Sequence, residues 1–201
     1  MNSTSTPSPL VVRAPMDERK VLLHTCCAPC SSAIVECLMR SGITPTIFYS
    51  NPNIFPAEEY VIRRDECSRY AAALGLEVVD ADYDHDAWLS EMHGLENEPE
   101  RSSRCLRCFS LRLYRTALYA AGHGFKVITT TLASSRWKSL EQINAAGQWA
   151  VDKVNAEVPG AGLVWWEQNW RKGGLQQRRQ EIIKEYGFYN QLYCGCEFSK
   201  R

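Results

Sequence analysis

Seven of the nine cysteines fall into three groups, Cys26-Cys27-x-x-Cys30, Cys105-x-x-Cys108 and Cys194-x-Cys196. A C-x-x-C spacing lets two thiolates of one turn hold a single metal ion or two irons of one cluster. The free N–H groups of a helix N-terminus stabilise the negative charge that results. Cys105 and Cys108 stand at the start of a helical pattern and are placed for this. One such pair is weak evidence. Three groups from distant parts of the chain point to a metal site, with a dithiol redox relay as the other chemistry open to them. Seven thiols exceed the four ligands of one structural zinc or one four-cysteine cluster. The excess suggests a cluster with a second metal, or a cluster with reactive thiols, and the adjacent Cys26 and Cys27 project differently enough to serve different centres. Cys37 and Cys67 lie inside helical patterns, where a buried structural thiol is the ordinary fate.

The elements that must bring these groups together follow from the hydrophobic pattern. Short apolar runs alternate with longer helical stretches: VLLHT, Ser31 to Arg40, TPTIFYS, Ala57 to Leu74, then LEVVDAD. A helix from Leu106 to Ala121 closed by Gly122, a strand FKVITTT and a helix from Ser139 to Val154 continue the series. Gly160 to Glu167 reads as a fifth strand and Leu175 to Tyr186 as the last helix. This alternation predicts an α/β fold, an open and mostly parallel sheet of about five strands in a single domain. Residues 1–19, rich in Ser, Thr and Pro, read as a flexible tail, and 20–201 as the domain, ending in the Cys-Gly-Cys segment.

Ligands of such sheets bind outside the carboxyl ends of the strands. On that edge the sequence places His24 and the first cysteine group, Asn51 and Asn53, Asp82, Tyr83 and Asp84, and Thr129 to Thr131. A chain of 201 residues with 45% hydrophobic and 23% charged side chains has the balance of one soluble globular domain. It has no apolar run long enough to cross a bilayer and no signal segment. A cytoplasmic location is therefore expected, and a reducing compartment disfavours disulfides as the explanation for nine cysteines. Equal numbers of basic and acidic side chains argue against nonspecific coating of nucleic acid, DNA included. Yet Glu77 to Glu100 carries nine carboxylates and no Lys or Arg, while Arg101 to Lys138 carries eight Lys or Arg and no carboxylate.

Several segments together carry a family resemblance. They are Leu23-His24-Thr25-Cys26-Cys27-Ala28-Pro29-Cys30, Phe48 to Ile54, Glu59-Tyr60 with Arg63, Arg104-Cys105-x-x-Cys108, Thr129 to Leu132 and Tyr193-Cys194-Gly195-Cys196. In this order, across residues 20–199, they resemble the QueH family of epoxyqueuosine reductases. The resemblance implies reduction of epoxyqueuosine to queuosine at the wobble position of a tRNA, without cobalamin. It implies a 4Fe-4S iron–sulfur cluster with an adjacent iron, and an electron donor that the sequence does not identify. It also implies a sheet similar to that of the ATP-pyrophosphatase and nucleotide-hydrolase superfamily. Cys-Cys-Ala-Pro-Cys stands where that superfamily has its glycine-rich phosphate loop, so nucleotide binding is not expected.

Removing an epoxide oxygen needs a proton donor, and Asp82, Asp84, Tyr83 and His24 are the candidates, against helix capping for the aspartates and a core position for the histidine. Asn51 and Asn53 can hydrogen-bond a ligand's diol or make a turn. Thr130 can reach ribose or phosphate, or simply finish a strand. For an RNA substrate, Arg104, Arg136 and Lys138, with Arg101, Arg107 and Trp137, form one basic–aromatic group. Arg171, Lys172, Arg178 and Arg179 near Trp170 form a second. The competing readings are a zinc-stabilised RNA-binding or tRNA-modifying module and a thiol–disulfide oxidoreductase. The ligand spacing predicts that Cys105→Ser and Cys108→Ser each lose metal while Cys37→Ala and Cys67→Ala retain it. Equal loss in all four on metal analysis would refute the division.

Overall fold

The computed structural model describes residues 10–189, 191 and 193–199. Five strands, β1 (Lys20–Thr25), β2 (Thr44–Tyr49), β3 (Val78–Asp80), β4 (Val127–Thr130) and β5 (Val164–Trp165), form one sheet in the order β3-β2-β1-β4-β5. Every pairing is parallel. Six helices accompany them: α1 (Ala28–Arg40), α2 (Ala57–Ala73), α3 (His85–Glu91), α4 (Ser103–Gly122), α5 (Leu140–Glu157) and α6 (Leu175–Tyr186). Because side chains alternate along a strand, Val21 and Leu23 of β1 enter a core shared with α1, α2 and α6, while Leu22 enters the opposite one with α4 and α5. Burial on both faces is why β1 reads as a continuous apolar run. No helix among the described residues is long and apolar enough to cross a membrane.

The chain leaves β1 toward β2 and β3 on one side, then returns to build β4 and β5 on the other. The switch point therefore lies between β1 and β4, where the segments leaving two adjacent strands diverge and open a crevice. Cys26 and Cys27 follow β1 directly, and a 3₁₀ turn, Thr131–Ser134, follows β4.

Several boundaries differ from the pattern. Helix α1 begins at Ala28 instead of Ser31, because Pro29 suits a first helical turn, and this puts Cys30 within that turn. Helix α4 begins at Ser103 and not at Leu106, placing Cys105 in its first turn. The expected fifth strand shrinks to Val164–Trp165, and α3 was not foreseen. Residues 1–9 lie outside the described residues, but 10–19 are not loose. Leu10 and Val12 pack on the core, Ala14 is buried, and Val12 N–H donates to Ser41 Oγ at 3.0 Å.

Helix α5 crosses the sheet at a glycine. A Cβ on Gly147 would overlap the Trp165 ring, which is itself buried. Alanine normally favours a helix over glycine by about 1 kcal/mol. Here Gly147→Ala is expected to destabilise the fold by about 1–3 kcal/mol, the usual range for overpacking. Urea unfolding checks this, and an unchanged or raised midpoint would show that Trp165 can move aside.

Candidate metal centre and its cavity

The crevice holds a cavity of about 860 Å³ whose lining includes Cys26 and Cys30, Cys105 and Cys108, and Cys194 and Cys196. The three cysteine groups, more than 160 residues apart at the extremes, thus meet at one place. Cys27 is buried beside them as the N-cap of α1 and accepts a hydrogen bond from Gln191 Nε2 at 2.7 Å. The sulfurs of Cys26, Cys27 and Cys30 all lie within 4.8 Å of one another, a group able to bind a metal ion. Cys108 and Cys196 share a small cluster with Trp88, Met92 and Phe198.

Cys194 and Cys196 reach the cavity because the segment between them is pinned. Arg63 of α2 donates to the carbonyls of Tyr193 at 3.3 Å and Cys194 at 3.4 Å, and stacks on the Tyr193 ring at 5.2 Å. A buried ion pair with Glu59, at 2.6 Å, holds Arg63 in place. Gly195 carries a φ of +107°, and its carbonyl accepts from Phe55 N–H at 2.8 Å. A Cβ there would stand 2.9 Å from Ile54 Cγ1 and 3.1 Å from Arg63 Nη1. Glycine is therefore required both for the left-handed backbone and for the close approach.

The charge around the sulfurs is one-sided. Arg63, Arg101, Arg104, Arg112, Arg179 and Lys138 line the cavity, against Glu100 as the one lining carboxylate among the described residues. Hydrogen bonds from Cys27 and Cys30 hold the Cys26 thiol well below its usual pKa despite burial, with Lys138 and Arg112 adding to the effect. Burial, followed by hydrogen bonding to Cys26 and Cys30, pushes Cys27 well up. Of the three sulfurs, Cys26 is thus the one whose thiolate is most favoured. Burial raises Cys105 and pushes Cys196 up to about 12. Burial opposes the Lys138 charge, but Cys194, Cys26 and Cys30 outweigh it and hold the ammonium above the ordinary lysine range.

The proton-donor candidates fall outside this cavity. His24 is completely buried. Its Nδ1 meets Thr130 Oγ1 at 2.7 Å and its Nε2 meets the Ser50 carbonyl at 3.1 Å, and burial followed by the Arg112 charge lowers its pKa to about 3. It is a neutral core histidine, and Thr130 is its equally buried partner. Asp84 is exposed and caps α3, accepting from Ala87 N–H at 2.9 Å. Asp82 is exposed and its carbonyl accepts from Arg115. The Tyr83 hydroxyl donates to the Ile54 carbonyl at 2.7 Å.

Asn51 is structural. Its Nδ2 donates to the Thr25 carbonyl at 2.9 Å and its Oδ1 accepts from Arg112. Asn53, by contrast, lines the cavity, is buried, and has no protein partner for Oδ1. Arg104 lines the cavity but straps the Leu95 and Glu96 carbonyls and stacks on Phe198 at 5.1 Å. Lys138 faces the thiols instead of standing out as a hand for phosphate, and Arg136 is exposed. The second basic–aromatic group dissolves. Trp170 is core, Arg178 is paired with Glu36, Glu181 and Glu185, and only Arg179 reaches the cavity.

Trp88 and Arg112 are among the lining residues that stand outside the motifs. Trp88, buried on the unforeseen α3, leaves its Nε1–H without a protein partner, and Arg112 is buried in mid-α4 behind Cys26. The signal for Arg112 is its helical spacing, seven residues after Cys105 and four after Cys108, which puts it on their face of α4.

The family model for QueH, epoxyqueuosine reductase, matches residues 21–201. Similar proteins carrying that name include one from Histophilus somni, 46% identical over 93% of this chain and 74% of the relative. One from Acinetobacter baylyi is 45% identical over 94% and 84%. One from Thermotoga maritima is 35% identical over 89% of each.

Gly195→Ala is expected to lower metal content of anaerobically prepared protein severalfold, since the added carbon must displace Ile54 or Arg63 and with them both flanking cysteines. Metal analysis at wild-type level would mean that the terminal segment is not held by this approach.

Proposed function

The chain belongs to the QueH family of epoxyqueuosine reductases, and from that premise we propose that its cavity removes the epoxide oxygen of epoxyqueuosine in tRNA at a 4Fe-4S cluster with an adjacent iron. The chain is an oxidoreductase; the reaction takes two electrons and two protons, leaves an alkene and releases the oxygen as water. The observation that carries the reading is the meeting of six cysteines around one cavity large enough for a nucleoside. A structural zinc site is closed by four ligands, whereas here the sulfurs face open space, which disfavours the zinc-stabilised alternative. Soft thiolates suit iron–sulfur ligation, and the surrounding guanidiniums and ammonium suit a centre of net negative charge. Cys26, Cys27, Cys30, Cys105, Cys108, Cys194 and Cys196 would hold it. When bound, such a centre supplies the electrons and a Lewis acid.

The protein's own residues orient the substrate. Asn53 and Trp88 both line the cavity, and Asn53 Oδ1 and Trp88 Nε1–H are buried without a protein partner, a state that is costly to leave uncompensated. Phe109 and Leu132 supply apolar lining that excludes water. The Lys138 ammonium holds a proton at Nζ beside the thiols, and Glu100 is the lining carboxylate.

The test is anaerobic purification with iron, sulfide and zinc analysis, followed by conversion of epoxyqueuosine-containing tRNA with a chemical reductant. Nucleoside mass spectrometry showing no queuosine from iron-loaded protein, or stoichiometric zinc without sulfide, would overturn the reading. Asn53→Ala should lower kcat/KM by about tenfold, the worth of one buried hydrogen bond, with metal content unchanged. Asp82→Asn and Asp84→Asn should leave turnover near wild type, since neither carboxylate faces the cavity. A loss of about 100-fold in either would restore it as the general acid.

A further inference from the structure

The segment between the thiol site and α5 is built in a way that the chemistry of the centre does not require. Four successive carbonyls, those of Ser135, Arg136, Trp137 and Lys138, are each held by a guanidinium. Arg171 Nη2 donates to Ser135 O at 2.7 Å and to Lys138 O at 2.8 Å. Arg101 donates from Nη2 to Arg136 O at 2.9 Å and from Nε to Trp137 O at 2.7 Å. Arg101 is itself fixed in a left-handed conformation, φ +68°, which a non-glycine residue seldom adopts. Its N–H points at Cys105 Sγ at 3.3 Å, and its carbonyl accepts from Gln142 at 3.0 Å.

What this rigid loop presents is a tryptophan in water. Trp137 is 67% exposed, the most exposed large hydrophobic side chain among the described residues, and it also lines the cavity. The Arg136 guanidinium stands over its ring at 5.2 Å. A mobile surface tryptophan would need no explanation. One whose backbone is tied at four points, at the rim of a cationic cavity, is a fixed apolar plate awaiting a flat partner. The surroundings choose the partner: Trp137 shares the cavity lining with Arg101, Lys138 and Arg179 and carries the Arg136 guanidinium over its ring, so an anionic chain bearing aromatic rings fits. Base stacking on aromatic rings with a guanidinium alongside is how single-stranded nucleic acid is commonly held.

We propose that Trp137, backed by Arg136 and clamped by Arg101 and Arg171, is a stacking platform for a nucleobase next to the reacting nucleoside, holding the RNA loop open so that the modified base enters the cavity. This rests on the tRNA reading above. Trp137 is a positioning residue, since it carries the neighbour of the reacting group and not the group itself.

The experiment measures binding of anaerobic, metal-loaded protein to an anticodon stem-loop carrying epoxyqueuosine, and to versions of that RNA abasic at either flanking nucleotide. Trp137→Ala should weaken binding of the intact stem-loop by about 5- to 150-fold, the range for one stacked base, and Trp137→Phe much less. With the RNA abasic at the stacked position, wild type should bind as weakly as Trp137→Ala, and the substitution should then have no further effect. Equal losses on intact and abasic RNA, or a Trp137→Ala affinity within about twofold of wild type, would overturn the platform. Metal content and visible spectrum serve as the folding control. Should Trp137→Ala fail to load, the comparison of wild type and Trp137→Phe on the two RNAs decides alone. Wild-type protein that binds the stem-loop but leaves the epoxide intact would refute the reductase reading while leaving the platform test valid.

Discussion

Seven thiol groups gathered at one sheet edge cannot all carry charge, and much of the rest of the molecule answers that constraint. Cys26, Cys27 and Cys30 sit close enough for one negative charge to be shared by hydrogen bonds. The N-terminus of α1, Lys138 and Arg112 supply the positive potential that keeps the charge there. A metal centre relieves the same crowding in another way, by replacing thiol protons with a cation. The cationic lining is thus a property of the thiol site before it is a property of any substrate.

The C-terminal cysteines show how dependent the site is on distant contacts. Nothing in the Tyr193-Cys194-Gly195-Cys196 segment makes a helix or strand, so its position comes from the side chains that receive it. Arg63 does most of this, using its guanidinium on two carbonyls, one carboxylate and one aromatic ring at once. A lysine, with a point charge and no planar fork, could not make the same set. On an isolated helix the Glu59–Arg63 pair would contribute a few tenths of a kcal/mol. Buried under the C-terminal segment, it becomes a pair whose disruption leaves an uncompensated charge.

The arginines repeat this theme of guanidinium groups holding irregular backbone. Arg101, Arg104, Arg171 and Arg179 each donate to carbonyls of loops or helix ends around the cavity. A carbonyl turned away from regular structure needs a donor, and five N–H groups on a rigid plane meet several at once. Much of the basic stretch 101–138 is used in this way, and Arg107 pairs with Glu91 of the acidic stretch. The charge segregation seen along the chain is therefore partly folded back on itself, with an uneven remainder at the cavity.

The sequence by itself determined the parallel α/β sheet and the edge on which the chemistry lies, because period-2 and period-3.6 patterns and the crossover rule are local properties of the chain. It also singled out the three cysteine groups that the fold brings to one cavity, since their close spacing is visible along the chain. Only the tertiary structure decided the roles of polar residues on that edge. Asn51 and Asn53, two positions apart, look alike in sequence, yet one is consumed by Thr25 and Arg112 while the other lines the cavity and keeps a buried oxygen without a protein partner. His24, Thr130 and Asp84 are likewise absorbed by the core or a helix cap, and Trp88 and Arg112 are recruited from positions outside the motifs. Hydrogen-bond partners are set by what lies across space, and spacing along the chain carries no record of them.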